Sequence, residues 1–272
     1  MAELAPLTDT RAVESLLAFW REAGVDTCIA PEAVDRTVRL APPTRPAPAG
    51  AAPSRPAAAA TATPDLSAAI LEARALAAAA PDLAALEAVI AAFDGCPLKF
   101  EGARRACFSR GAPDAPVVIV GEGPGAEEDA QGAPFVGRAG KLLDRMLEAA
   151  GLQDRVFITN TVFWRPPGNR TPSMAEQAIC APFLERALQL VQPKLLLLVG
   201  GASAKSMLNK EEGILSLRGR WFEWRDSAGT LDLPALPTLH PAFLLRQPAA
   251  KKKAWADLLT LTERLDRPDR PA

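Results

Sequence analysis

Two spacings of apolar residues alternate along the chain after residue 114. Short apolar runs bounded by glycine, proline or polar residues are typical of buried strands, and longer stretches with apolar residues three or four apart are typical of helices. The strand patterns lie at 117–120, 156–160, 194–199 and 233–239. The helical patterns lie at 138–151, 173–191, 253–265 and from Ala202 onward. This alternation predicts an α/β fold, a three-layer αβα sandwich around a mostly parallel, four-stranded central sheet.

The first third of the chain follows other patterns. Residues 9–24 have a helical period, whereas residues 41–63 are mostly Ala and Pro and carry too little apolar bulk to pack. Two more helical patterns follow at 65–93 and separate at Pro81. The predicted parts are an N-terminal helical segment at 1–40, a linker at 41–63 and a folded domain at 64–272. The N-terminal helix is a candidate contact for another protein, or only an aid to solubility.

Charge and cysteine content narrow the class of protein. The net charge of −1 gives no global field toward nucleic acid, so any affinity for DNA must come from a local basic surface. We find neither a leader pattern nor an apolar run of membrane-spanning length, and we expect a cytoplasmic, monomeric protein without a membrane contact. Without a CxxC pair, the cysteines are expected to be thiols or metal ligands rather than disulfides. They are Cys28, Cys96, Cys107 and Cys180.

Three loops leave the carboxyl ends of predicted strands and carry unusual polar or aromatic residues. In a parallel sheet these strand ends meet at one edge, which is where ligands bind in α/β folds. The loops are Gly121–Phe135, Asn160–Arg170 and His240–Arg246. We expect them to converge on one site.

The first of these loops contains a glycine pattern that has other interpretations. Gly121-x-Gly123-x-x-Ala126 fits the dinucleotide fingerprint between a strand and a helix. Three acids follow the glycines and would repel a pyrophosphate, and the next strand ends at Asn160 instead of at an acidic residue, so we disfavour a nucleotide site. A structural turn would explain the glycines, but not the acids and Phe135 beside them. No Gly-Lys-Ser/Thr sequence follows, which excludes a P-loop.

Four motifs occur in order along the second half of the chain. They are G-E-G-P-G-A-E-E-D-x-x-G-x-P-F-V-G-R-A-G from Gly121, I-T-N-T-V-x-x-R-P-P-G-N-R-T-P from Ile158, L-R-G-R-W from Leu217 and P-T-L-H-P-A-F-L-L-R-x-P from Pro237. Together they resemble the uracil-DNA glycosylase superfamily, most closely its family 4 branch, over roughly residues 93–265. The residue roles that follow are those that this resemblance implies.

The resemblance assigns three residues to the target base, which a glycosylase must flip out of the duplex. Phe135 matches the aromatic residue that stacks on uracil, and such a flat face gives affinity rather than choice. Asn160 matches the residue whose amide reads the uracil edge, since an amide can donate to O4 and accept from N3–H. His240, the only histidine in the chain, matches the residue that donates to O2 as negative charge develops there.

The attacking water needs a group that orients it. Gly123 occupies the position of an Asp in the best-known branch of the superfamily, so here it can only line the substrate site. We favour Glu128 for the water, with Glu122 second and Asn169 as a helper, because a carboxylate near the sugar would also stabilise its developing positive charge. A solvated acid at a helix start is the alternative for Glu128.

Contacts with DNA phosphates are assigned to arginines in or beside the motifs, which would form a local basic rim. These are Arg165, Arg170, Arg218 and Arg246. Leu244, followed by Leu245, is placed where an apolar wedge would enter the base stack. Either leucine could equally belong to the core.

Family 4 members typically bind a four-iron four-sulfur cluster through four cysteines, and this chain departs from that pattern. Cys96 and Cys180 occupy two of the four positions, and Phe93 and Trp164 occupy the other two. Because such a cluster normally needs four thiolates, we predict no cluster, with Phe93 and Trp164 packed in its place. No cofactor is therefore expected.

The resemblance implies a DNA repair enzyme. It would hydrolyse the N-glycosidic bond of uracil in DNA by base flipping and leaving-group stabilisation, and would leave an abasic site. The release of other deaminated bases is open. The alternative is a protein that binds uracil-containing DNA without efficient cleavage, because Gly123 removes one familiar carboxylate. A zinc deaminase is excluded, since the H-x-E and P-C-x-x-C motifs are missing.

Overall fold

A six-stranded sheet runs through the part of the chain that the structure, a computed structural model, describes, residues 66–267. Its strands are β1 (Arg110–Gly111), β2 (Val117–Gly121), β3 (Val156–Asn160), β4 (Leu195–Val199), β5 (Phe222–Arg225) and β6 (Asp232–Thr238). They lie in the order β1-β3-β2-β4-β6-β5, and the four central strands are parallel. These four are the strands that the sequence predicts, and the α/β class is confirmed.

The sheet is six-stranded and mixed rather than four-stranded, because one antiparallel strand is added at each edge. β1 has only two residues, which is too short to produce a hydrophobic pattern. In β5 the buried Trp224 lies between the exposed Glu223 and Arg225, and this single alternation gives no clear strand signal.

The helices account for most of the predicted helical patterns. They are α1 (Leu66–Ala79), α2 (Leu83–Ala92), α3 (Ala126–Gln131), α4 (Arg138–Ala149), α5 (Met174–Val191), α6 (Gly201–Leu208), α7 (Ile214–Leu217), α8 (Pro241–Arg246) and α9 (Lys251–Asp266). Asp82 caps α2 by accepting a hydrogen bond from the Ala85 amide, and Ser173 and Glu176 form a capping box at the start of α5. α3 and α8 have six residues each, which is too short for a recognisable period, so the sequence predicts loops there.

Two apolar cores cover the two faces of the sheet. Successive side chains of a strand point to opposite faces, so β2 contributes Val118 and Val120 to one core and Val117 and Ile119 to the other. The first core is closed by α1, α2 and α5, and the second by α4 and α9. The predicted three-layer αβα arrangement is therefore confirmed.

The described residues, 66–267, all belong to one compact unit. The predicted N-terminal helix, the whole predicted linker and Cys28 lie outside the described residues, so the division into domains stays a prediction. Within residues 66–267, no helix is long and apolar enough to cross a membrane.

Candidate active site

The carboxyl ends of the parallel strands lie side by side at one edge of the sheet. Gly121 at the end of β2 pairs in register with Asn160 at the end of β3, and Val199 of β4 pairs with Thr238 of β6. The loops that follow these strands therefore start from neighbouring points, as the rule for ligand sites in parallel sheets requires.

The three predicted loops line one cavity of about 540 Å³. This volume lies in the range of small-molecule sites. Among its lining residues are Glu122, Gly123, Glu128, Phe135, Asn160, Asn169, Arg170, His240 and Arg246. The structure thus brings most of the predicted site residues together, while their individual roles stay predictions.

Phe135 forms one wall of the cavity and has an unusual backbone. Its φ is 54°, a left-handed conformation that a bulky residue adopts only when its surroundings impose it. The guanidinium of Arg110 holds the turn by donating to the carbonyl oxygens of Pro134 (2.8 Å) and Phe135 (3.1 Å). On the other side, a Cβ on Gly140 would lie 1.6 Å from the Phe135 carbonyl oxygen, so only glycine fits there. These contacts present the ring in one orientation.

The Phe135 ring lies against the imidazole of His240. Their centroids are 5.6 Å apart and their planes differ by 29°. A single stacked aromatic pair already needs this separation, so a base does not fit between the two rings. A base that stacks on Phe135 would instead meet the imidazole with its edge.

Asn160 carries an amide donor without a partner. Its side chain is 1% exposed, and among the described residues its Nδ2 is the one buried side-chain nitrogen or oxygen that makes no hydrogen bond. An unpaired buried donor costs about 1–3 kcal/mol, which an acceptor on a ligand would recover. Gly121 makes room for this amide, because a Cβ there would lie 2.4 Å from Asn160 Oδ1 and 2.5 Å from Phe135 Cε2. The amide and the aromatic ring are therefore direct neighbours.

His240 is held as a neutral imidazole with one free donor. Its Nδ1 accepts a hydrogen bond of 3.1 Å from the Ala242 amide, at the start of α8, so the ring proton is on Nε2. Burial, together with the positive charge of Arg246, lowers the pKa of His240 to about 4, against an opposing effect of Glu128. At neutral pH the ring is therefore uncharged, and its Nε2–H can donate to a ligand.

Gly200 supports the imidazole and was missed by the sequence analysis. Its φ is 96°, and a Cβ there would lie 3.2 Å from His240 Cβ and 3.3 Å from its Cδ2. Any larger residue would thus press on the ring. The signal that could have found it is the Gly200-Gly201 pair directly after a strand pattern.

The two candidate carboxylates differ in how they are engaged. Glu128 accepts hydrogen bonds from the backbone amides of Gly125 (3.1 Å) and Gly137 (2.9 Å), so it ties the glycine loop to the start of α4. Glu122 lines the cavity, and its carboxylate has no hydrogen-bond or ion-pair partner within residues 66–267. The structure therefore leaves Glu122 freer than Glu128 to bind a water molecule.

Some of the arginines in the predicted basic rim already have partners within the protein. Arg246 is exposed, lines the cavity and has no ion-pair partner in the described part of the chain. Arg170 also lines the cavity, but it is paired with Glu176 at 2.6 Å. Arg165 donates to Asn169 Oδ1 at 2.6 Å, on the loop that borders the cavity. Of these arginines, Arg246 is the one most available to a phosphate.

Of two further predicted DNA contacts, Arg218 is held in an ion pair and Leu244 lies in the interior. The guanidinium of Arg218 donates to the carboxylate of the buried Asp257, and its side chain is only 18% exposed. Leu244 is 0% exposed and belongs to the core beneath α8. Leu244 does not reach the solvent, so its predicted role as a wedge is corrected, whereas Arg218 is engaged by Asp257 and its contact with a phosphate stays a prediction. The exposed leucine of α8 is Leu245.

Two thiols and packed aromatic rings occupy the positions where a cluster would be held. Cys96 and Cys180 are buried free thiols; the hydrogen bond between them lowers the pKa of Cys96, and burial raises that of Cys180 well above its usual value. Phe93 and Trp164 are buried beside them, with Phe93 edge-to-face on Phe183 at 5.1 Å. Within the described chain, no group of three or more His, Cys, Asp or Glu could hold a metal ion. This set of donors does not fit a cluster that needs four thiolates.

Comparison with known proteins gives an independent result. The family model described as Uracil DNA glycosylase superfamily matches residues 108–259, which is more than half of the chain. The chain belongs to the uracil-DNA glycosylase superfamily. The matched range contains Phe135, Asn160 and His240 and begins after Cys96.

Curated members of the superfamily agree with the family 4 resemblance. The type-4 uracil-DNA glycosylase of Sulfurisphaera tokodaii is 39% identical over 159 residues, which cover 56% of this chain and 71% of that protein. The type-4 enzyme of Thermotoga maritima is 38% identical over 153 residues, covering 56% and 77%. That of Pyrobaculum aerophilum is 37% identical over 183 residues, covering 65% and 91%. The resemblance that the four motifs indicate is therefore confirmed.

Proposed function

We propose that this protein hydrolyses the N-glycosidic bond between uracil and deoxyribose in DNA and leaves an abasic site. Its curated relatives are type-4 uracil-DNA glycosylases. The observation that carries the proposal is the unpartnered amide donor of Asn160, in one cavity with Phe135 and a neutral His240.

Base choice is assigned to Asn160. Uracil presents an acceptor at O4 and a donor at N3–H, and one amide can satisfy both. Cytosine presents the opposite pattern at these two positions, so it would leave buried polar groups unpaired, a mismatch that discriminates strongly between ligands. Because the amide is fixed beside the Phe135 ring, a base that stacks on Phe135 brings its edge to Asn160.

Base flipping is the step that brings uracil into the cavity. Asn160 is 1% exposed and Phe135 is 6% exposed, so neither residue can touch a base that is still stacked in a duplex. Enzymes that act on a base in this way extrude the nucleotide and pay a few kcal/mol for unstacking. Arg246, exposed at the cavity, is assigned to the phosphates beside the flipped nucleotide.

Leaving-group stabilisation is assigned to His240. When the C1′–N1 bond breaks, its electron pair moves to the base, and negative charge collects at N1 and O2. The Nε2–H of a neutral imidazole can donate to O2, and a donor aimed at developing charge contributes on the order of 3 kcal/mol. The uracil anion is delocalised, so this step needs a hydrogen bond rather than a complete proton transfer.

Glu122 is assigned to orient the water that attacks C1′, with Asn169 as a helper. The water oxygen bonds to C1′ as the base leaves, and one of its protons passes to the carboxylate or to solvent. Glu122 is favoured over Glu128 because its carboxylate has no other partner among the described residues, whereas Glu128 accepts two backbone hydrogen bonds. Glu128 is therefore assigned to hold the loop.

We also propose that the protein carries no iron–sulfur cluster. The four positions that would supply thiolates hold two cysteines and two buried aromatic residues. None of the steps above depends on such a group.

A fluorescent oligonucleotide with a single uracil tests the proposed function. Treatment with the protein and then with alkali is expected to break the strand at the uracil, because an abasic site is labile to alkali. A strand that is retarded in a gel but stays intact would support the alternative, a protein that binds uracil-containing DNA. Matched oligonucleotides with hypoxanthine, xanthine or a thymine mismatch define the range of bases released.

A further inference from the structure

A buried polar network lies directly behind the strand end that leads to His240. The Thr238 hydroxyl donates to Asp257 Oδ2 at 2.7 Å, and the guanidinium of Arg218 donates to both oxygens of the same carboxylate. Thr238 is 3% exposed and Asp257 is 1% exposed. This network thus joins α9 to the last residue of β6, two residues before the imidazole.

The same strand end is held from its other side by the glycine beneath the ring. The Gly200 amide donates to the Thr238 carbonyl at 2.9 Å, and Gly200 also lies against the ring and Cβ of His240. Thr238 is therefore fixed through its hydroxyl and through its carbonyl. Only Leu239, which is buried, separates it from His240.

Gly219 packs closely against the Asp257 carboxylate and leaves it little room to move. Gly219 has a φ of 72°, and a Cβ there would lie 2.9 Å from Asp257 Oδ1. The Gly219 amide donates to the Pro237 carbonyl at 3.0 Å. A larger residue at 219 would displace the carboxylate that Thr238 contacts.

We propose that Arg218, Asp257 and Thr238 form a positioning network for His240, which holds the imidazole in place and in its Nε2–H tautomer. The Nδ1 of His240 accepts from the Ala242 amide only while the turn between β6 and α8 keeps its shape. Movement of Thr238 would move that turn and release the ring from its single tautomer. The catalytic consequence rests on the proposed glycosylase activity, whereas the tautomer does not.

Thr238→Val is the variant that isolates the network. It keeps the size and branching of the side chain and removes only the donor to Asp257. Since small misplacements of a catalytic group can cost up to about 100-fold in rate, we expect a 10- to 100-fold lower kcat with little change in KM. Thr238→Ser restores the hydroxyl and is expected to restore kcat. If Thr238→Val does not fold, Thr238→Ala carries the same expectation.

Thr230→Val is the matched control. Its hydroxyl donates to Asp226 Oδ2 at 2.6 Å just before the opposite end of β6, so the change also removes a threonine–aspartate hydrogen bond. This variant is expected to keep the wild-type kcat. A folded Thr238→Val variant that is also as active as wild type would show that the network only stabilises the fold.

Nitrogen-15 spectra of the imidazole give a second readout that does not depend on activity. His240 is the only histidine, so untagged protein gives one set of ring signals. We expect the Nε2–H tautomer alone in wild type and in Thr230→Val, and a mixture of tautomers in Thr238→Val. Unchanged ring signals in a folded Thr238→Val variant would overturn the proposal. If wild-type protein releases no uracil, the proposed function fails, and these spectra still decide the positioning role.

Discussion

At the scale of single residues, the site is defined by two side chains: Asn160, whose amide donor has no partner within residues 66–267, and His240, whose imidazole is held in one tautomer. Asn160 Nδ2 has no partner, and His240 has one acceptor nitrogen and one free donor. Unpaired buried donors are rare in native proteins because each costs stability. Such an atom in the cavity is best explained by a ligand that supplies the missing acceptor.

Replacing Asn160 should therefore separate stability from activity. Asn160→Ala is expected to lower kcat/KM for uracil by about 100- to 1,000-fold, the typical effect of losing one catalytic donor, without lowering the free energy of unfolding. The control is the adjacent Thr159→Val, whose buried hydroxyl donates to the Phe108 carbonyl at 2.8 Å, and which should cost about 1–3 kcal/mol. Denaturant unfolding and uracil release, measured for both variants, check these expectations. A large loss of stability in Asn160→Ala would show that its amide has a structural partner.

The pKa of His240 gives a prediction about pH. Because its pKa is lowered from 6.5 to about 4, the unfolded state binds more protons than the folded state between these values. Stability from this group is therefore complete above about pH 6.5 and is lost as pH falls toward 4, by up to about 3 kcal/mol. Unfolding free energies of wild type and His240→Gln should differ in slope over this window. An imidazole that titrates near pH 6.5 would contradict the prediction.

The sequence identifies the candidate site residues but not their hydrogen bonding, tautomer or burial. Phe135, Asn160 and His240 are visible because they follow predicted strand ends in recognisable motifs. The unpaired amide and the imidazole tautomer depend on contacts with residues distant in sequence. Leu244 and Leu245 cannot be distinguished from the motif alone, since the burial of one and exposure of the other depend on the orientation of α8.

At the scale of elements, the site is made by strand ends and by the short segments that hold their loops. Glu128 joins the glycine loop to α4 on one side of the cavity, and the contacts of Thr238 hold the turn before α8 on the other. The first contact bridges the loop that carries Phe135, and the second lies two residues before His240, where we propose that it positions the imidazole.

Glutamine substitutions should distinguish the two candidate carboxylates. Glu128→Gln replaces one acceptor oxygen by a donor facing a backbone amide, so it should cost about 1–3 kcal/mol of stability and lower activity through the loop. Glu122→Gln should leave the stability unchanged and lower kcat by about 100-fold or more. Thermal unfolding and single-turnover uracil release provide the comparison. If Glu128→Gln is as stable as wild type and loses more kcat than Glu122→Gln, Glu128 rather than Glu122 orients the water.

Element prediction succeeds where an apolar period is long and fails where it is short. The four central strands and the helices at 138–149 and 174–191 have clear periods. β1 has two residues, and α3 has six residues with three acids in its first turn, so neither has an apolar pattern. Their positions are set by pairing and capping rather than by hydrophobicity.

At the scale of the whole molecule, two apolar cores hold the sheet that carries the site. One of them includes Phe93 and Trp164 together with Cys96 and Cys180. All four residues are at most 2% exposed, and we propose that this part of the core holds no cluster. The sequence predicts the aromatic packing, but the contact between the two thiols is known only from the structure.

Iron content tests this account of the core. Protein purified without oxygen is expected to contain no stoichiometric iron and to lack visible absorption. The double variant Cys96→Ala, Cys180→Ala should still fold and release uracil, because in this account the thiols ligate nothing. Stoichiometric iron in wild type would contradict the proposal, and its loss in the double variant would identify the two thiols as ligands.

A structure of the protein with free uracil, the product, tests the central claim most directly. The account predicts that uracil occupies the cavity of about 540 Å³, flat on Phe135, with its O4 and N3 edge at the Asn160 amide and O2 at His240 Nε2. Uracil bound elsewhere, or in the cavity without contact to Asn160 and His240, would contradict it.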